Sequence, residues 1–319
     1  MSNPLVSILV RSMDRPTLRR ALLSAAEQTY PNVEIVVVAA NGPAHGELPP
    51  LPSGRPARLV RPPQPLGRSA AANAALHAAS GELLNFLDDD DELLPRHLEL
   101  LWAALCSNPT MSLAYSRTQV VDERGAPAGI FGKKHTRLEL FETIPLAIMA
   151  ALFRRTLLEQ RVQFDDELQV GEDHDFWLQC SAHTDFCFVD EVTNRWHAFI
   201  GTSGGGGGRN QDNANVERAA ARIRAKWAGA KETFLNTPLG LLQSVRLALL
   251  QKEDAVALTQ AERLVSTMPN DINAINLAAM ANHYSGNSER AAELIERALA
   301  MRPDHEGLLA NKRLISGTK

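Results

Sequence analysis

The chain has 319 residues, enough for about two domains at ~150 residues each. Apolar residues make up 45% and charged residues 22%, a globular composition that excludes a chain disordered throughout and a collagen-like one. Lys and Arg number 33 against 37 Asp and Glu, a formal net charge of −4, so no global basic field points to nucleic acid.

Three cysteines, Cys106, Cys180 and Cys187, form no Cys-x-x-Cys pair and no even framework, which fits a reducing compartment better than a secreted one. Residues 1–11 lack a basic start, a long apolar core and a small-residue cleavage site, so no signal peptide is expected. The longest uncharged, mostly apolar run is residues 144–153, half of the ~20 that a membrane span needs. The expectation is a cytoplasmic protein with no transmembrane segment. Peripheral attachment at the inner face of a membrane stays open, because residues 239–250 are amphipathic, although helix packing uses the same pattern.

In chain order, residues 5–10 read as a buried strand rich in β-branched side chains. Asp14 and Pro16 suit the start of a helix, and Leu18, Leu22 and Ala25 carry its apolar stripe. A second buried strand is predicted over 33–39, closed by Asn41-Gly42, and a short one over 58–60 within a Pro- and Gly-rich stretch. An alanine-rich helix over 69–79 stops before Gly81, and 83–87 is the next strand. Strands alternating with helices at this spacing predict right-handed crossovers and a mostly parallel sheet, with ligand beyond the carboxyl ends of the strands. Residues 112–115, 119–121, 186–189 and 194–199 read as further strands, and 172–182 as a helix. Residues 201–210 include five consecutive glycines with no Gly-Lys-Ser/Thr after them, which makes a flexible loop and not a P-loop.

Beyond residue 216 the pattern is helical. Pro269 and Pro303 lie 34 residues apart, the tetratricopeptide period. Ala257 and Ala291 share that offset at the small position where paired helices cross, and Ala298 and Gly286 also fit, with Leu264 a poorer counterpart of Ala298. An ordinary helical hairpin is the plainer reading of the same residues. The expected division is 1–215, a helical linker over 216–236, and an α-helical tetratricopeptide-like region over 237–319.

Strand 83–87 runs into Asp88, Asp89, Asp90, Asp91 and Glu92. If the chain stays extended, Asp88 and Asp90 share one side and Asp89 and Asp91 the other. Paired carboxylates at the carboxyl edge of a sheet suit a hard divalent cation that keeps positions open for phosphate. A solvated acidic turn capping the next helix is the alternative, and it suffices for Asp91 and Glu92.

Several segments together resemble family 2 glycosyltransferases. They are Pro4-Leu5-Val6-Ser7-Ile8-Leu9-Val10, Gln28-Thr29-Tyr30-Pro31-Asn32, Glu34-Ile35-Val36-Val37-Val38, residues 67–73, Ala79-Ser80-Gly81-Glu82 and residues 87–91. The resemblance covers about residues 4–200. It implies an α/β GT-A fold, a nucleotide-sugar donor, a divalent metal (Mn or Mg) and inversion at the anomeric carbon. It places Asp88 near the donor ribose and Asp90 on the metal. Arg11, Asn41, Arg68, Asn73 and Asp89 fall in the donor-binding segments.

Gly171-Glu172-Asp173-His174-Asp175-Phe176-Trp177-Leu178 resembles the family's Glu-Asp motif at a helix start, which makes Asp173 the general base. Trp177, four residues on, shares a helical face with it and is either a sugar-stacking wall or a core anchor. His197, in Asn194-Arg195-Trp196-His197, stands where family members place a histidine that reaches the metal. The glycine run can close over the donor diphosphate, with Arg209 against phosphate.

The sequence departs from the family at Ala39 and Ala40, where an acidic residue usually reads the base, at Arg11-Ser12 in place of Pro-Thr, and at Ala72 in place of Arg. The base of the donor therefore stays open, with UDP- or TDP-linked sugars expected. The expected function is transfer of that sugar to a glycan or protein acceptor, the helical tail holding acceptor or partner. The rival readings are a nucleotidyltransferase, which lacks its glycine loop after the first strand, and a non-catalytic helical-repeat interaction protein with a degenerate nucleotide-binding domain.

Overall fold

The computed structural model describes residues 3–51, 54–55, 57–200 and 212–317. The chain divides into two compact units, Met1–Ala225 and Lys226–Lys319. The boundary falls inside the helix Asn213–Leu235, which takes up all but the last residue of the expected linker over 216–236.

The first unit opens with β1 (Val6–Ser12), α1 (Leu18–Ala26), β2 (Val33–Ala39), β3 (Ala57–Val60), α2 (Arg68–Ala78) and β4 (Leu83–Asp88). Every residue of β1 is buried, which explains why its apolar run is continuous and not alternating: both faces are covered. β1 lies between β2 and β4, parallel to both, and β3 extends the sheet beyond β2. Gly81 turns α2 into β4, where a Cβ would stand 2.7 Å from the Leu5 carbonyl oxygen. Asp14 does not cap α1. Its φ is +61°, its carboxylate accepts the Gly46 amide, and Thr17 takes the cap position.

Beyond β4 come β5 (Glu92–Leu93), α3 (His97–Ser107), β6 (Leu113–Val121), β7 (Pro127–Phe131), α4 (Arg137–Glu142), β8 (Ala151–Arg154), α5 (Thr156–Glu159), α6 (Glu172–Ser181) and β9 (Phe186–Trp196). The sheet order is β3-β2-β1-β4-β8-β6-β9-β5, with β7 paired to β6. β8 runs antiparallel to β4 and β6, β5 to β9 and β7 to β6, while β6 and β9 are parallel. The sheet is thus mixed, against the mostly parallel expectation. The two strands expected within 112–121 are one strand, as are those within 186–199. A register shift at Ser116, Arg117 and Thr118 and the exposed Asp190 and Glu191 interrupt the apolar pattern without ending the pairing.

α7 (Asn213–Leu235) spans the unit boundary, and the second unit continues with α8 (Pro238–Gln251), α9 (Asp254–Thr267), α10 (Ile272–Tyr284), α11 (Ser288–Met301) and α12 (Glu306–Ser316). The bounds of α9 and α11 are offset by 34 residues, as are the starts of α10 and α12. The caps repeat as well: Asp271 accepts the Ala274 amide and His305, 34 residues on, accepts the Leu308 amide. Ala257, Leu264, Ala291 and Ala298 are all fully buried, the first two and Ala298 in the helical core. A larger Leu264 is therefore accommodated at the position that Ala298 holds in the later pair. No helix among the described residues is long and apolar enough to cross a membrane.

Candidate active site

β4 does not continue through the acidic run. It ends at Asp88, and the Asp91 amide donates to the Asp88 carbonyl at 3.1 Å, a tight turn. The turn replaces the expected alternation with a different grouping. Asp88, Asp90 and Asp91 each bring a carboxylate oxygen within 4.8 Å of the others. Asp91, which a capping role would explain, therefore belongs to the cluster.

Asp89 points the other way. Its Oδ2 accepts the Met13 amide at 2.7 Å and its Oδ1 accepts Arg15 Nη1 at 3.1 Å, so it ties the loop after β1 to the acidic turn. The same Nη1 donates to Asp90 Oδ2 at 2.6 Å. Arg20 donates to the Asp90 carbonyl at 2.8 Å and pairs with Glu92.

Arg11 stands on β1 directly opposite Asp88 on β4. Its Nε and Nη2 donate to the two Asp88 oxygens at 2.8 and 2.9 Å, and Nη1 donates to Glu172 Oε1 at 2.8 Å. Arg68, at the first turn of α2, donates to the same Glu172 oxygen at 2.9 Å. Two arginines and two carboxylates thus join the end of β4 to the start of α6. Bidentate guanidinium–carboxylate pairing is the geometry that keeps buried charges tolerable.

Gly171 precedes α6 with φ +72°, a left-handed conformation that favours glycine. A Cβ there would come within 2.9 Å of Ile223 Cδ1. That turn presents Glu172 and Asp173 at the helix N-terminus, where carboxylates are favoured. Glu172 was missed as a site residue in its own right, although the Glu-Asp motif contains it. His174 anchors the same turn by pairing its Nε2 with the Leu140 carbonyl at 2.6 Å.

The charge pattern separates these carboxylates. Burial pushes Asp88 upward, but Arg11 and Arg68 beside it hold it below its ordinary value of 3.8. Glu172 is held down by Arg68 and Arg11 against the same burial. Burial and then the charge of Asp88 push Asp90 up to about 6. Asp91 is pushed well up by burial, then by Asp90 and Asp88. Burial, followed by the charge of Glu172, pushes Asp173 up to about 7. Among the described residues, only the His174 amide is bonded to its Oδ1, at 2.9 Å, and no salt bridge reaches it.

One cavity of about 320 Å³ is lined by Arg11, Arg15, Arg68, Asp88, Asp89, Asp90, Asp91, Glu172, Asp173 and His197. His197 reaches the cluster through its main chain, donating its amide to Asp91 Oδ1 at 2.8 Å. Its ring Nε2 is paired with Glu92 at 2.7 Å, so the ring is not one of the three grouped ligands. Asn41 and Asn73 are not part of the lining. Asn73 instead bonds the Phe164 main chain in both directions at 2.9 Å, and Asn41 follows β2 with its Oδ1 buried and unbonded among the described residues.

Part of the lining is apolar. It comprises Ile144, Leu146 and Met149 before β8, with Val216, Ala219, Ala220 and Ile223 of α7. Those four on α7 recur at i, i+3, i+4 and i+7, a stripe visible in the sequence but masked there by the linker assignment. Trp177 is fully buried and packs edge-on to Phe153 and Phe176, so it anchors the core. Trp196 is the tryptophan that lines the cavity, with its ring 5.8 Å from Phe131. Arg209 and the whole glycine run over 201–210, expected over the diphosphate, lie outside the described residues.

The three grouped carboxylates fit a divalent cation. They are hard oxygen donors, and Asp90 and Asp91 are both pushed up by burial and by the charge of Asp88 beside them, a strain that a cation among them relieves.

Comparisons with known proteins bear on the fold and the family resemblance. The model of "Glycosyl transferase family 2" matches residues 7–162. An uncharacterized glycosyltransferase of Methanocaldococcus jannaschii is 24% identical over 193 residues, which cover 57% of this chain and 67% of that protein. The Escherichia coli protein WfgD, a UDP-Glc:alpha-D-GlcNAc-diphosphoundecaprenol beta-1,3-glucosyltransferase, is 27% identical over 185 residues, 56% of this chain and 70% of its own. Among solved structures, S. aureus TarS 1-349 in complex with UDP-GlcNAc aligns over 98% of this chain and 90% of its own, with a TM-score of 0.54 at 17% identity. That is a likeness of fold, and this chain spans 55% of the longer TarS chain. Residues 7–162, just under half of the chain, thus match the glycosyl transferase family 2 model, and the first unit is built on the GT-A fold.

Proposed function

We propose that the chain is an inverting glycosyltransferase that moves a sugar from a nucleotide-diphosphate donor to an acceptor hydroxyl. The observation that carries this reading is the shared cavity. Asp173, pushed up to about 7, opens into the same space as the grouped carboxylates Asp88, Asp90 and Asp91. A base poised near neutral pH is what abstraction of an acceptor proton requires.

In this reading Asp88, Asp90 and Asp91 hold a divalent ion, Mn or Mg, which offsets charge on the leaving diphosphate. Arg11 and Arg68 fix Asp88 and Glu172, and so set the distance between the donor side and the base. Asp173 takes the proton of the acceptor hydroxyl as that oxygen attacks the anomeric carbon from the face opposite the diphosphate. The apolar wall from residues 144–149 and α7 excludes water from the attacking position, which disfavours hydrolysis of the donor. Asn73 serves the donor side indirectly, by holding the segment around Phe164. The 34-residue repeat of the tail supports a tetratricopeptide-like surface for a glycan or protein acceptor, or for a partner that delivers one.

The test is thermal unfolding with millimolar UDP, TDP, GDP or CDP, each with and without Mn or Mg. A ligand at ~100 times its dissociation constant adds roughly 2.7 kcal/mol of stability. A cation-dependent shift with one nucleotide supports the reading and names the base. No shift with any pair overturns it in favour of a non-catalytic helical-repeat protein.

A further inference from the structure

The acidic turn already has a cation of its own. Arg15 Nη1 bridges Asp89 Oδ1 at 3.1 Å and Asp90 Oδ2 at 2.6 Å. The loop that carries it is fixed from three sides. Met13 donates its amide to Asp89 at 2.7 Å, Asp14 donates its amide to Ser12 Oγ at 3.0 Å, and Asp14 accepts the Gly46 amide at 2.9 Å. Asp14 is held at φ +61° within this loop, so the start of Arg15 is set by backbone contacts and its long side chain by the two carboxylates.

Asp90 is also one of the three carboxylates grouped for a divalent ion. A guanidinium hydrogen-bonded to one of its oxygens repels a dication at the others, and that repulsion is poorly screened in a largely buried site. Asp89, the second carboxylate that Arg15 holds, is outside the group. Arg15 is about a quarter exposed and lines the cavity, so its guanidinium can turn toward an incoming anion while its backbone stays in place.

We propose that Arg15 is an intramolecular counter-cation that opposes divalent-ion binding at Asp90 until a nucleoside diphosphate takes over its charge. This rests on the reading of Asp88, Asp90 and Asp91 as the cation site. Ion and diphosphate then bind with positive coupling, reciprocal by thermodynamic necessity, and the coupling resides in Arg15. The diphosphate supplies the anion that Asp90 gives up, so neither a bare ion nor a bare nucleotide fills the site readily.

The experiment is an electron paramagnetic resonance titration of Mn2+ with the full chain, with and without UDP, on the wild type, Arg15→Gln and Arg15→Lys. Arg15→Gln is expected to bind Mn2+ about tenfold more tightly than the wild type without UDP and to lose most of the gain that UDP brings, within the usual range of coupling factors. Arg15→Lys, which keeps the charge, is expected to stay close to the wild type. Arg15→Gln binding equally or more weakly, while the wild type binds Mn2+ with UDP, overturns this inference alone. A lysine variant that behaves like the glutamine variant overturns it too. Failure of every form to bind Mn2+, with or without UDP, removes the cation site itself and this inference with it.

Discussion

Arg11 and Asp88 face each other in register on adjacent parallel strands, and the Arg11 guanidinium grips both Asp88 oxygens at 2.8 and 2.9 Å. Its remaining nitrogen reaches Glu172 at 2.8 Å, 161 residues along the chain. One side chain therefore couples the first strand, the acidic turn and the helix that carries the candidate base.

Removing Arg11 leaves Asp88 and the buried Glu172 short of their shared cation. Breaking a buried pair from one side costs about 3–5 kcal/mol. Arg11→Ala is expected to lower the melting temperature by about 2–4 °C per kcal/mol for a unit of this size, followed by circular dichroism at pH 7. Arg11→Lys is expected to recover only part of the loss, since an ammonium cannot fork onto both oxygens.

Asp173→Asn is expected to reduce transfer at least 10²–10⁴-fold, roughly the worth of a general base, while UDP binding persists. In the wild type the rate is expected to rise with pH up to about 7 and then level, because the carboxyl must lose its proton to act. Stability runs in the opposite sense. Between the ordinary value of 3.8 and about 7, the folded protein holds a proton that the unfolded chain has released, so this group's stability contribution falls as pH rises. Asparagine carries no such penalty. Melting curves at pH 5 and pH 8 are expected to show the variant gaining on the wild type at the higher pH.

Gly171→Ala places a side chain at φ +72° and within 2.9 Å of Ile223 Cδ1. The left-handed backbone alone costs about 1–2 kcal/mol. The variant is expected to retain its fold and to lose kcat more than donor affinity, because the turn it disturbs aims Asp173. Steady-state kinetics with donor and acceptor varied in turn separate the two effects.

Asp89→Asn and Asp91→Asn are expected to differ, although the residues are neighbours in one acidic run. Asp91→Asn removes a grouped carboxylate and is expected to weaken Mn2+ binding. Asp89→Asn loosens Met13 and Arg15 and is expected to lower stability with a smaller effect on the ion. Calorimetric Mn2+ titration and thermal unfolding of both variants check this.

Much of the first sheet was legible in the chain. β1, β2 and β4 are buried on both faces, so their residues form continuous apolar runs that local pattern reveals. β8 hid inside the apolar stretch 144–153, and β7 alternates too little to register, since four of its five residues are exposed. The 34-residue offset of the tail was visible because a repeat is a relation within the sequence itself.

The sequence by itself determined which segments are buried, where the carboxylates gather, and the motif pair that carries the family resemblance. Tertiary structure alone decided which of those carboxylates converge. A tight turn, and not an extended strand, unites Asp88, Asp90 and Asp91 and sends Asp89 toward the loop after β1. It also chose Trp196 over Trp177 for the cavity, brought α7 into the cavity wall, and set Arg15 on the acidic turn. The physical reason is range. Burial and repeat period are written into neighbouring residues, whereas an ion pair between positions 11 and 172 exists only once the chain has folded to bring them together.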